Sequence, residues 1–380
     1  MRIYGPQTLF EDVQQRGLCI GCGGCVALCP HFKTYKGKTA RLFPCDRETG
    51  RCHAYCPKAE VDLDELARQS GQPSYPASPA GGYQRIVASR SGRRLAGQTC
   101  QSGGTVTALM TLALASGRIE SAVLTGTKGL VPHPVRVTHP DGVAACASSK
   151  YTAAPTLSGL NAAIEAGRRH IGVVATPCQA TAIAQMRANP LQQDDFQDPA
   201  GLVIGLFCTW ALDTRHLIAF LDQRMDTRRI RKMTIPPPPA EVLIIRTDTG
   251  DSEIPLDQIR PLIPGGCRIC PDMTAEWADL SVGELEGRPA WNTLIVRSET
   301  GRALVDEAAR DGWLETESYP SGQLDHLLGA ARGKKRRALQ QARADGLLNS
   351  APDTCRAALR LDAKTVDALI GDGEECACRY

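Results

Sequence analysis

The middle of the chain, from about residue 86 to residue 300, carries two alternating patterns of apolar residues. The runs IESAVLTGT, HIGVVATPCQ and GLVIGLFCTW have the length and apolar content of buried strands. The intervening segment TLSGLNAAIEAGRR has its apolar residues at helical spacing. Helices that alternate with apolar strands predict a mixed or parallel sheet covered by helices.

Changes in composition mark the limits of this central region. The segment SGQPSYPASPAGGYQ, from Ser70, is rich in proline, glycine and serine and is interpreted as a linker. Beyond Arg302 the sequence is charged and helical in pattern, and KKRRALQQARA is interpreted as a solvated helix face. The expected order is a first domain at 1–70, a linker at 71–85, a second domain at 86–300 and a helical C-terminal extension at 301–380.

The charge balance gives little indication of a charged partner. The chain has 380 residues, of which 44 are basic and 41 acidic, and its formal net charge is +3. This balance does not favour nucleic acid or an anionic membrane as a partner. No run of 18 apolar residues is present, and the N-terminal MRIYGPQTLFEDVQQ lacks the apolar core of a signal peptide. We expect a soluble, cytoplasmic protein with no membrane span.

Sixteen cysteines change this picture, because such a number is unusual in a reducing compartment. The stretch CIGCGGCVALCP places Cys19, Cys22, Cys25 and Cys29 in the spacing C-x2-C-x2-C-x3-C-P, which is typical of bacterial ferredoxins. The glycines between them let the backbone curl around a cluster. Structural zinc sites use paired C-x2-C motifs in two separated halves, so zinc fits this spacing less well.

A second stretch, CDRETGRCHAYCP, repeats the end of the first motif. In two-cluster ferredoxins the outlying cysteine of each run binds the other cluster. The first cluster would then be held by Cys19, Cys22, Cys25 and Cys56, and the second by Cys29, Cys45 and Cys52. The second group is one ligand short. Either this cluster has three irons, or Asp46, Glu48 or His53 completes it, or a distant cysteine does.

Four further cysteines follow predicted strands or form a C-x2-C loop. Cys178 follows the strand in HIGVVATPCQ, Cys208 follows the strand in GLVIGLFCTW, and Cys267 and Cys270 form CRICP. Ligands gather at strand ends in open α/β sheets, so these thiols could converge on one site. Buried cysteine is also common as a small hydrophobic residue, and the spacing alone leaves both interpretations open.

Several motifs in order resemble one known family. They are GQTCQSGGTVTALM, SSKYTAAPTL, VVATPCQATAI, LVIGLFCTW, CRICPDMTAEWADLSVGE and LIVRSETG. Together with the ferredoxin-like start, they resemble the beta subunit family of coenzyme F420 hydrogenases and dehydrogenases, which includes formate dehydrogenase beta subunits and reductases of chlorophyll precursors. The resemblance covers about residues 10 to 300.

The resemblance implies FAD and an iron–sulfur cluster beside it. It implies that Cys178, Cys208, Cys267 and Cys270 hold a third cluster. The chain would then carry two or three [4Fe-4S] clusters, with a [3Fe-4S] cluster as the alternative at Cys29, Cys45 and Cys52. The implied flavin-binding residues are Ser102, Gly103, Gly104, Thr107, Ser149, Lys150, Tyr151, Thr176 and Pro177. A Ser-Gly-Gly turn at the start of a helix offers backbone N–H groups to a pyrophosphate, which agrees with this placement.

Five cysteines are left outside these groups. The two flavin motifs that the resemblance implies are residues 102–104 and 149–151. Cys100 and Cys146 lie close to them in the sequence and are interpreted as packed thiols. Cys355, Cys376 and Cys378 lie beyond the part that resembles the family, and the sequence assigns them no role. No catalytic acid or base is indicated by the sequence.

The expected fold class is α+β, with an N-terminal ferredoxin-like two-cluster domain, a mixed α/β flavin-binding domain and a helical C-terminal region. The expected function is that of an iron–sulfur flavoprotein oxidoreductase subunit. It would exchange hydride with a deazaflavin or a nicotinamide and pass single electrons to or from a catalytic subunit, such as a formate dehydrogenase or hydrogenase, or a ferredoxin. No G-x-G-x-x-G motif follows a strand, so a Rossmann nicotinamide site is not supported.

Two alternatives remain at this point. One is a self-sufficient reductase that takes electrons from ferredoxin and reduces an organic substrate at the flavin. The other is a structural metal scaffold, which would be colourless and would hold zinc.

Overall fold

The computed structural model describes residues 2–96, 102–237, 239–351, 353 and 355–371. Cys100, Cys376 and Cys378 lie outside the described residues. The strands are β1 Phe32–Tyr35, β2 Lys38–Arg41, β3 Val61–Asp62, β4 Arg85–Ser91, β5 Ser121–Lys128, β6 Val131–Val137, β7 Ile171–Ala175, β8 Ala200–Leu206, β9 Ile230–Thr234, β10 Val242–Thr247, β11 Gly250–Pro255, β12 Leu280–Glu284, β13 Asn292–Val296, β14 Leu314–Ser318, β15 Leu348–Asn349 and β16 Leu359–Arg360.

The α-helices are mostly short, and α1 continues into a π-helical segment at Phe10–Gln15. They are α1 Pro6–Leu9, α2 Arg51–Ala54, α3 Leu63–Gln69, α4 Thr105–Ala115, α5 Thr156–Glu165, α6 Pro177–Arg187, α7 Thr214–Asp222, α8 Leu256–Ile259, α9 Gly265–Arg268, α10 Glu299–Arg310, α11 Ser321–Ala344 and α12 Ala363–Ile370. No helix within the described residues has both the length and the apolarity needed to cross a membrane.

An eight-stranded sheet forms the centre of the molecule, in the order β14-β4-β13-β12-β8-β7-β5-β6. β5, β7, β8 and β12 are parallel, and β4 runs in the same direction because it and β12 both pair antiparallel with β13. The carboxyl ends of these five strands therefore lie at one edge. Ligands of open α/β sheets bind at this edge. The predicted strands and the mixed α/β architecture are confirmed.

Helices cover both faces of this sheet because its strands are apolar on both sides. In β8, Leu202 and Ile204 pack into one core with α4 and α10, whereas Val203 packs into a second core with α5 and α6. Successive residues of a strand point to opposite faces, which accounts for the division. The result is a sheet between two helical layers.

The C-terminal part of the chain folds back onto the N-terminal part. β3 pairs in parallel with β16, and β16 pairs with β15. Leu9, Leu66, Leu339 and Val366 belong to the single core that joins the two parts. The region after residue 300 thus contributes three short strands as well as α10, α11 and α12, and β14 extends the central sheet.

The prediction of a solvated helix face at KKRRALQQARA is wrong for its first two lysines. Lys334 is 6% exposed and Lys335 is 0% exposed on α11. The apolar residues Leu327, Ala331 and Ala338 are buried on the same helix. Because helical residues three and four apart share a face, the buried stripe of α11 passes through both lysines.

Candidate functional site

The loop that carries the first cysteines is shaped by glycine. Gly21 has φ +66°, and a Cβ there would lie 1.7 Å from the carbonyl oxygen of Gly37 in the turn between β1 and β2. Gly23 has φ +85°, and a Cβ there would lie 2.6 Å from the carbonyl oxygen of Pro155. Only glycine permits both this backbone conformation and these close approaches. The loop can therefore curl tightly between the hairpin and α5.

Cys19, Cys22, Cys25 and Cys56, the first thiol set, line one cavity. About 370 Å³ in it is free of protein atoms, counting its open mouth, and Leu9, Val13 and Ile20 form part of its wall. Burial raises the pKa of the Cys25 thiol, and Cys19, Cys56 and Cys22 raise it further. Burial also raises the pKa of Cys56 to about 12. Four thiols around one cavity match the grouping that the spacing predicts.

Cys29, Cys45 and Cys52, the second thiol set, also lie together. Burial raises the pKa of Cys52 to about 11, and the neighbouring Cys29 and Cys45 contribute in the same direction. One ring nitrogen of His53 is engaged: its Nδ1 accepts a hydrogen bond of 3.4 Å from the backbone N–H of Tyr4, whereas its buried Nε2 has no hydrogen-bond partner within the described residues.

Asp46 and Glu48, the other two candidates for a fourth ligand in the second thiol set, are exposed. The grouping of three thiols is present. The identity of a fourth ligand stays a prediction with alternatives.

Cys178, Cys208, Cys267 and Cys270, the third thiol set, meet at the carboxyl edge of the central sheet. Cys178 lies in the first turn of α6, directly after β7, and Cys208 follows β8. Burial raises the pKa of Cys178 to about 12, and Cys270 and Cys267 add to the shift. Burial likewise raises the pKa of Cys208, whose thiol neighbours are the other three members.

The three thiol sets form a series. The third set adjoins the first, because Cys178 is the thiol with the strongest effect on the pKa of Cys22. The first set adjoins the second, because Cys52 affects the pKa of both Cys25 and Cys56. The first set therefore lies in the middle, with the second and third sets on either side of it.

The arrangement of these thiols bears on which group they can hold. Within the described ranges, no three Cys, His, Asp or Glu side chains are arranged to hold a single metal ion. A tetrahedral zinc site with Zn–S bonds of about 2.3 Å needs sulfur atoms roughly 4 Å apart. Thiolates of an iron–sulfur cluster bind different iron atoms and lie farther apart. The donor chemistry of each set, three or four thiols, fits an iron–sulfur cluster, whose ligands are thiolates.

Two buried lysines lie beside the thiol sets, and sequence reasoning missed both. The ammonium of Lys334 donates hydrogen bonds to the carbonyl oxygens of Cys208 and Asp272, the latter at 2.6 Å. Lys58 is 3% exposed, lines the cavity of the first set, and also lowers the pKa of Cys178. The helical spacing of the apolar residues around Lys334 on α11 could have indicated its burial. The sequence around Lys58 has no comparable pattern.

The Ser102–Gly104 turn lies at the same edge of the sheet as the third thiol set. Gly104 has φ +78° and directly precedes α4. The side chain of Asn292 reaches this turn: its Nδ2 donates to Ser102 Oγ at 3.4 Å, and its Oδ1 accepts from the backbone N–H of Thr105 at 3.3 Å. Asn292 was not singled out from the sequence. Thr107 is buried within the first turn of α4.

The second flavin motif, residues 149–151, lies near β12 and β13, and Asn292 is the first residue of β13. Burial raises the pKa of Tyr151, and the carboxylate of Glu284 raises it further. Glu284 is the cross-strand partner of Asn292. The two flavin motifs therefore meet at the end of the β12–β13 pair.

Lys150 is half-buried, and its ammonium donates a hydrogen bond to the carbonyl oxygen of Cys146. Burial lowers the pKa of Lys150. A lysine whose ammonium is held in this partly desolvated position within the second flavin motif can meet an anionic group of a ligand.

The start of α6 connects the segment after the second flavin motif with the third thiol set. Thr176 caps α6 through a reciprocal capping box with Gln179, and Pro177 is its first residue. The amide of Gln179 donates a 2.8 Å hydrogen bond to the carbonyl oxygen of Ala154, just after the second flavin motif. The hydroxyl of Thr176 lies 3.3 Å from Cys178 Sγ. These contacts couple the segment after Tyr151 to the third set.

The fold and the grouped thiols are typical of a cysteine-rich α/β redox protein. Two family models, for the N-terminal and the C-terminal parts of the coenzyme F420 hydrogenase/dehydrogenase beta subunit, match residues 86–161 and 168–321 respectively. Together they cover more than half of the chain. The chain belongs to the coenzyme F420 hydrogenase/dehydrogenase beta subunit family, as the motifs predict.

Several relatives carry names that state an activity. The coenzyme F420 hydrogenase subunit beta of Methanothermobacter thermautotrophicus is 30% identical over 62% of this chain and 85% of that protein. A component of the F(420)H(2) dehydrogenase of Methanosarcina mazei is 25% identical over 78% and 84%. The coenzyme F420-dependent sulfite reductase of Methanocaldococcus jannaschii is 26% identical over 78% of this chain and 46% of that protein.

A solved structure has the same architecture over most of the chain. It is a chain of the F420-reducing [NiFe] hydrogenase complex from Methanosarcina barkeri. The two share 25% sequence identity with a TM-score of 0.64, and the match covers 70% of this chain and 93% of that one. The similar proteins are oxidoreductases or subunits of oxidoreductase complexes.

Proposed function

We propose that this chain is the electron-transferring subunit of an oxidoreductase complex, with residues 86–300 holding FAD and one [4Fe-4S] cluster and residues 1–70 holding two further clusters. The observation that carries the proposal is the series of thiol sets, the third of which lies at the carboxyl edge of the central sheet, where the turn at residues 102–104 also lies. Bound FAD supplies two-electron hydride exchange, and iron–sulfur clusters supply one-electron transfer. The chain provides the order in which these groups are held.

Specific residues would hold each group. The first and third thiol sets supply four thiolates each, and the second supplies three. The backbone N–H groups at the start of α4 can meet a pyrophosphate, which favours the N-terminus of a helix. Lys150 belongs to the second flavin motif and can neutralise an anionic group there. Asn292 fixes the Ser102–Gly104 turn through two hydrogen bonds.

The proposed hydride carrier is a deazaflavin, with a nicotinamide as the competing carrier. Three relatives are named for coenzyme F420 or its reduced form. The proposed partner is a catalytic subunit such as a hydrogenase or formate dehydrogenase. A self-sufficient reductase is the second candidate, favoured by similarity to the sulfite reductase, although more than half of that protein is unmatched.

The deciding experiment uses protein purified without oxygen. Iron, sulfide and flavin are counted per chain, and electron paramagnetic resonance spectra are recorded in each redox state. About twelve irons and one flavin are expected for three clusters. Reduced deazaflavin is then added to one sample and NADH to another, and bleaching of the flavin absorbance identifies the carrier. A colourless protein that contains zinc would overturn the proposal.

A further inference from the structure

The ammonium groups of Lys334 and Lys58 are buried next to thiols that belong to different parts of the chain. Lys334 lies among the third thiol set: its charged neighbours are Cys270, Cys208, Asp272 and Cys267. Lys58 affects the pKa of Cys56 in the first set and of Cys178 and Cys267 in the third. Lys58 therefore lies near both the first and the third thiol sets, whereas Lys334 lies near the third set.

A buried ammonium is unfavourable unless negative groups compensate for its charge. Lys334 is 6% exposed, and its ammonium donates hydrogen bonds to the carbonyl oxygens of Cys208 and Asp272, which are neutral acceptors. The carboxylate of Asp272 already accepts hydrogen bonds from the backbone N–H groups of Thr274 and Glu276. The charge of Asp272 is therefore shared, and thiolates of the third set would supply further negative charge next to Lys334 when they hold a cluster.

The adjacent Lys335 shows the contrast. It is also fully buried on α11, but its Nζ lies 2.7 Å from Glu276 Oε1 and donates a 2.7 Å hydrogen bond to the hydroxyl of Tyr75. Its charge is thus neutralised by a carboxylate of its own. Lys335 is not among the main charged groups that shift the pKa of Cys178, Cys208 or Cys267.

We propose that Lys334 and Lys58 raise the reduction potential of the cluster held by the third thiol set, and that Lys58 acts on the cluster of the first set as well. The proposal rests on the proposed function, because it needs clusters at both sets. Reduction adds one electron to the cluster, taken from a donor, and no bond is made or broken. The added negative charge is stabilised by a nearby positive charge in a site of low dielectric constant. Net charge and burial are among the properties that set cluster potentials.

The test compares Lys334→Met, Lys58→Met and the charge-preserving Lys334→Arg. The matched control is the double variant Glu276→Leu with Lys335→Met, which removes the neighbouring lysine together with its own carboxylate. All are purified without oxygen, and the midpoint potential of each cluster is measured by redox titration followed by electron paramagnetic resonance. Lys334→Met should make reduction of the third-set cluster about tenfold or more less favourable, which lowers its midpoint by about 59 mV or more. Lys334→Arg keeps the positive charge, so its third-set cluster should have a midpoint potential close to that of the wild-type protein. Lys58→Met should lower the midpoints of two clusters.

The outcomes separate this proposal from the proposed function. Wild-type protein without iron would overturn the proposed function. Full iron content in Lys334→Met with an unshifted midpoint would overturn this inference alone, as would a shift of equal size in the double variant Glu276→Leu with Lys335→Met. If Lys334→Met fails to assemble its cluster, Lys58→Met decides: two lowered midpoints support the inference, and unshifted midpoints overturn it.

Discussion

The thiol of Cys178 is close enough to that of Cys22 to raise its pKa, although Cys22 lies in the N-terminal loop and Cys178 in the first turn of α6. The first thiol set therefore lies next to the carboxyl edge of the central sheet, where Cys178 is located. α5 holds the loop in place, because the backbone N–H of Leu157 donates a 3.1 Å hydrogen bond to the carbonyl oxygen of Cys22. The proximity of these two thiols shows that the third set is next to the first in the series.

Cys178→Ser should remove about four of about twelve irons, because the third set would lose a thiolate while the other two sets stay intact. Iron and sulfide analysis measures the loss, and the spectrum shows which cluster is missing. Cys146→Ser is the matched control, since Cys146 contacts Lys150 and belongs to none of the sets. Unchanged iron in Cys178→Ser would show that the third set holds no cluster.

Cys22→Ser should lower the iron content by a similar amount and leave the flavin bound. Cys22 lines the cavity of the first set, and neither Asn292 nor Tyr151 lines that cavity. Flavin absorbance and iron are measured on the same sample. Loss of flavin together with iron would mean that the first set and the flavin motifs are not separable, and retention of all iron would contradict the assignment of Cys22.

Asn161→Ala should loosen the first cysteine loop. The buried Asn161 Nδ2 donates hydrogen bonds to the carbonyl oxygens of Gly24 at 3.0 Å and Val26 at 2.8 Å. Removal leaves these carbonyls without this donor, which costs about 1–3 kcal/mol. We expect a lower urea midpoint and faster loss of iron from the first set on dilution. Ser158→Ala on the same helix, which removes only the local hydrogen bond to Pro155, is the control.

Lys150→Ala should weaken flavin retention, because it removes the positive charge of the second flavin motif. Burial lowers the pKa of Lys150, so its charge is lost at a lower pH than the usual value near 10.4. Flavin should therefore dissociate more readily as the pH rises toward that value, and Lys150→Arg should resist the change. Gel filtration at several pH values, followed by flavin absorbance, measures both effects. A fully retained flavin in Lys150→Ala would count against the contact.

Glu276→Ala should destabilise the fold by about 3–5 kcal/mol, because it leaves the ammonium of Lys335 buried without its carboxylate. The ion pair joins α11 to the segment before β12 at 2.7 Å, and both side chains are almost completely buried. Anaerobic urea denaturation measures the loss. The double variant Glu276→Leu with Lys335→Met should recover much of it, since paired apolar side chains replace the ion pair. A double variant less stable than Glu276→Ala would contradict this account.

The sequence by itself determined the elements and the spacing of the candidate ligands. β5, β7 and β8 form where short apolar runs predict them, because a strand buried on both faces needs a continuous apolar run. The grouping of Cys56 with Cys19, Cys22 and Cys25 also follows a local repeat, in which the outlying cysteine of one motif completes the other. Such features depend on residues near each other in the sequence.

Only the tertiary structure decided the surroundings of the thiols. Lys334 and Lys335 have the same charge and adjacent positions, yet one lies among cysteines and the other pairs with Glu276. The burial of a lysine depends on what packs against its helix face, and α11 packs against segments distant in sequence. Asn292 reaches the Ser102–Gly104 turn for the same reason, because β13 was brought to that edge by sheet order. Nonlocal packing therefore determines which charges and donors surround each site, whereas local pattern determines which residues can form it.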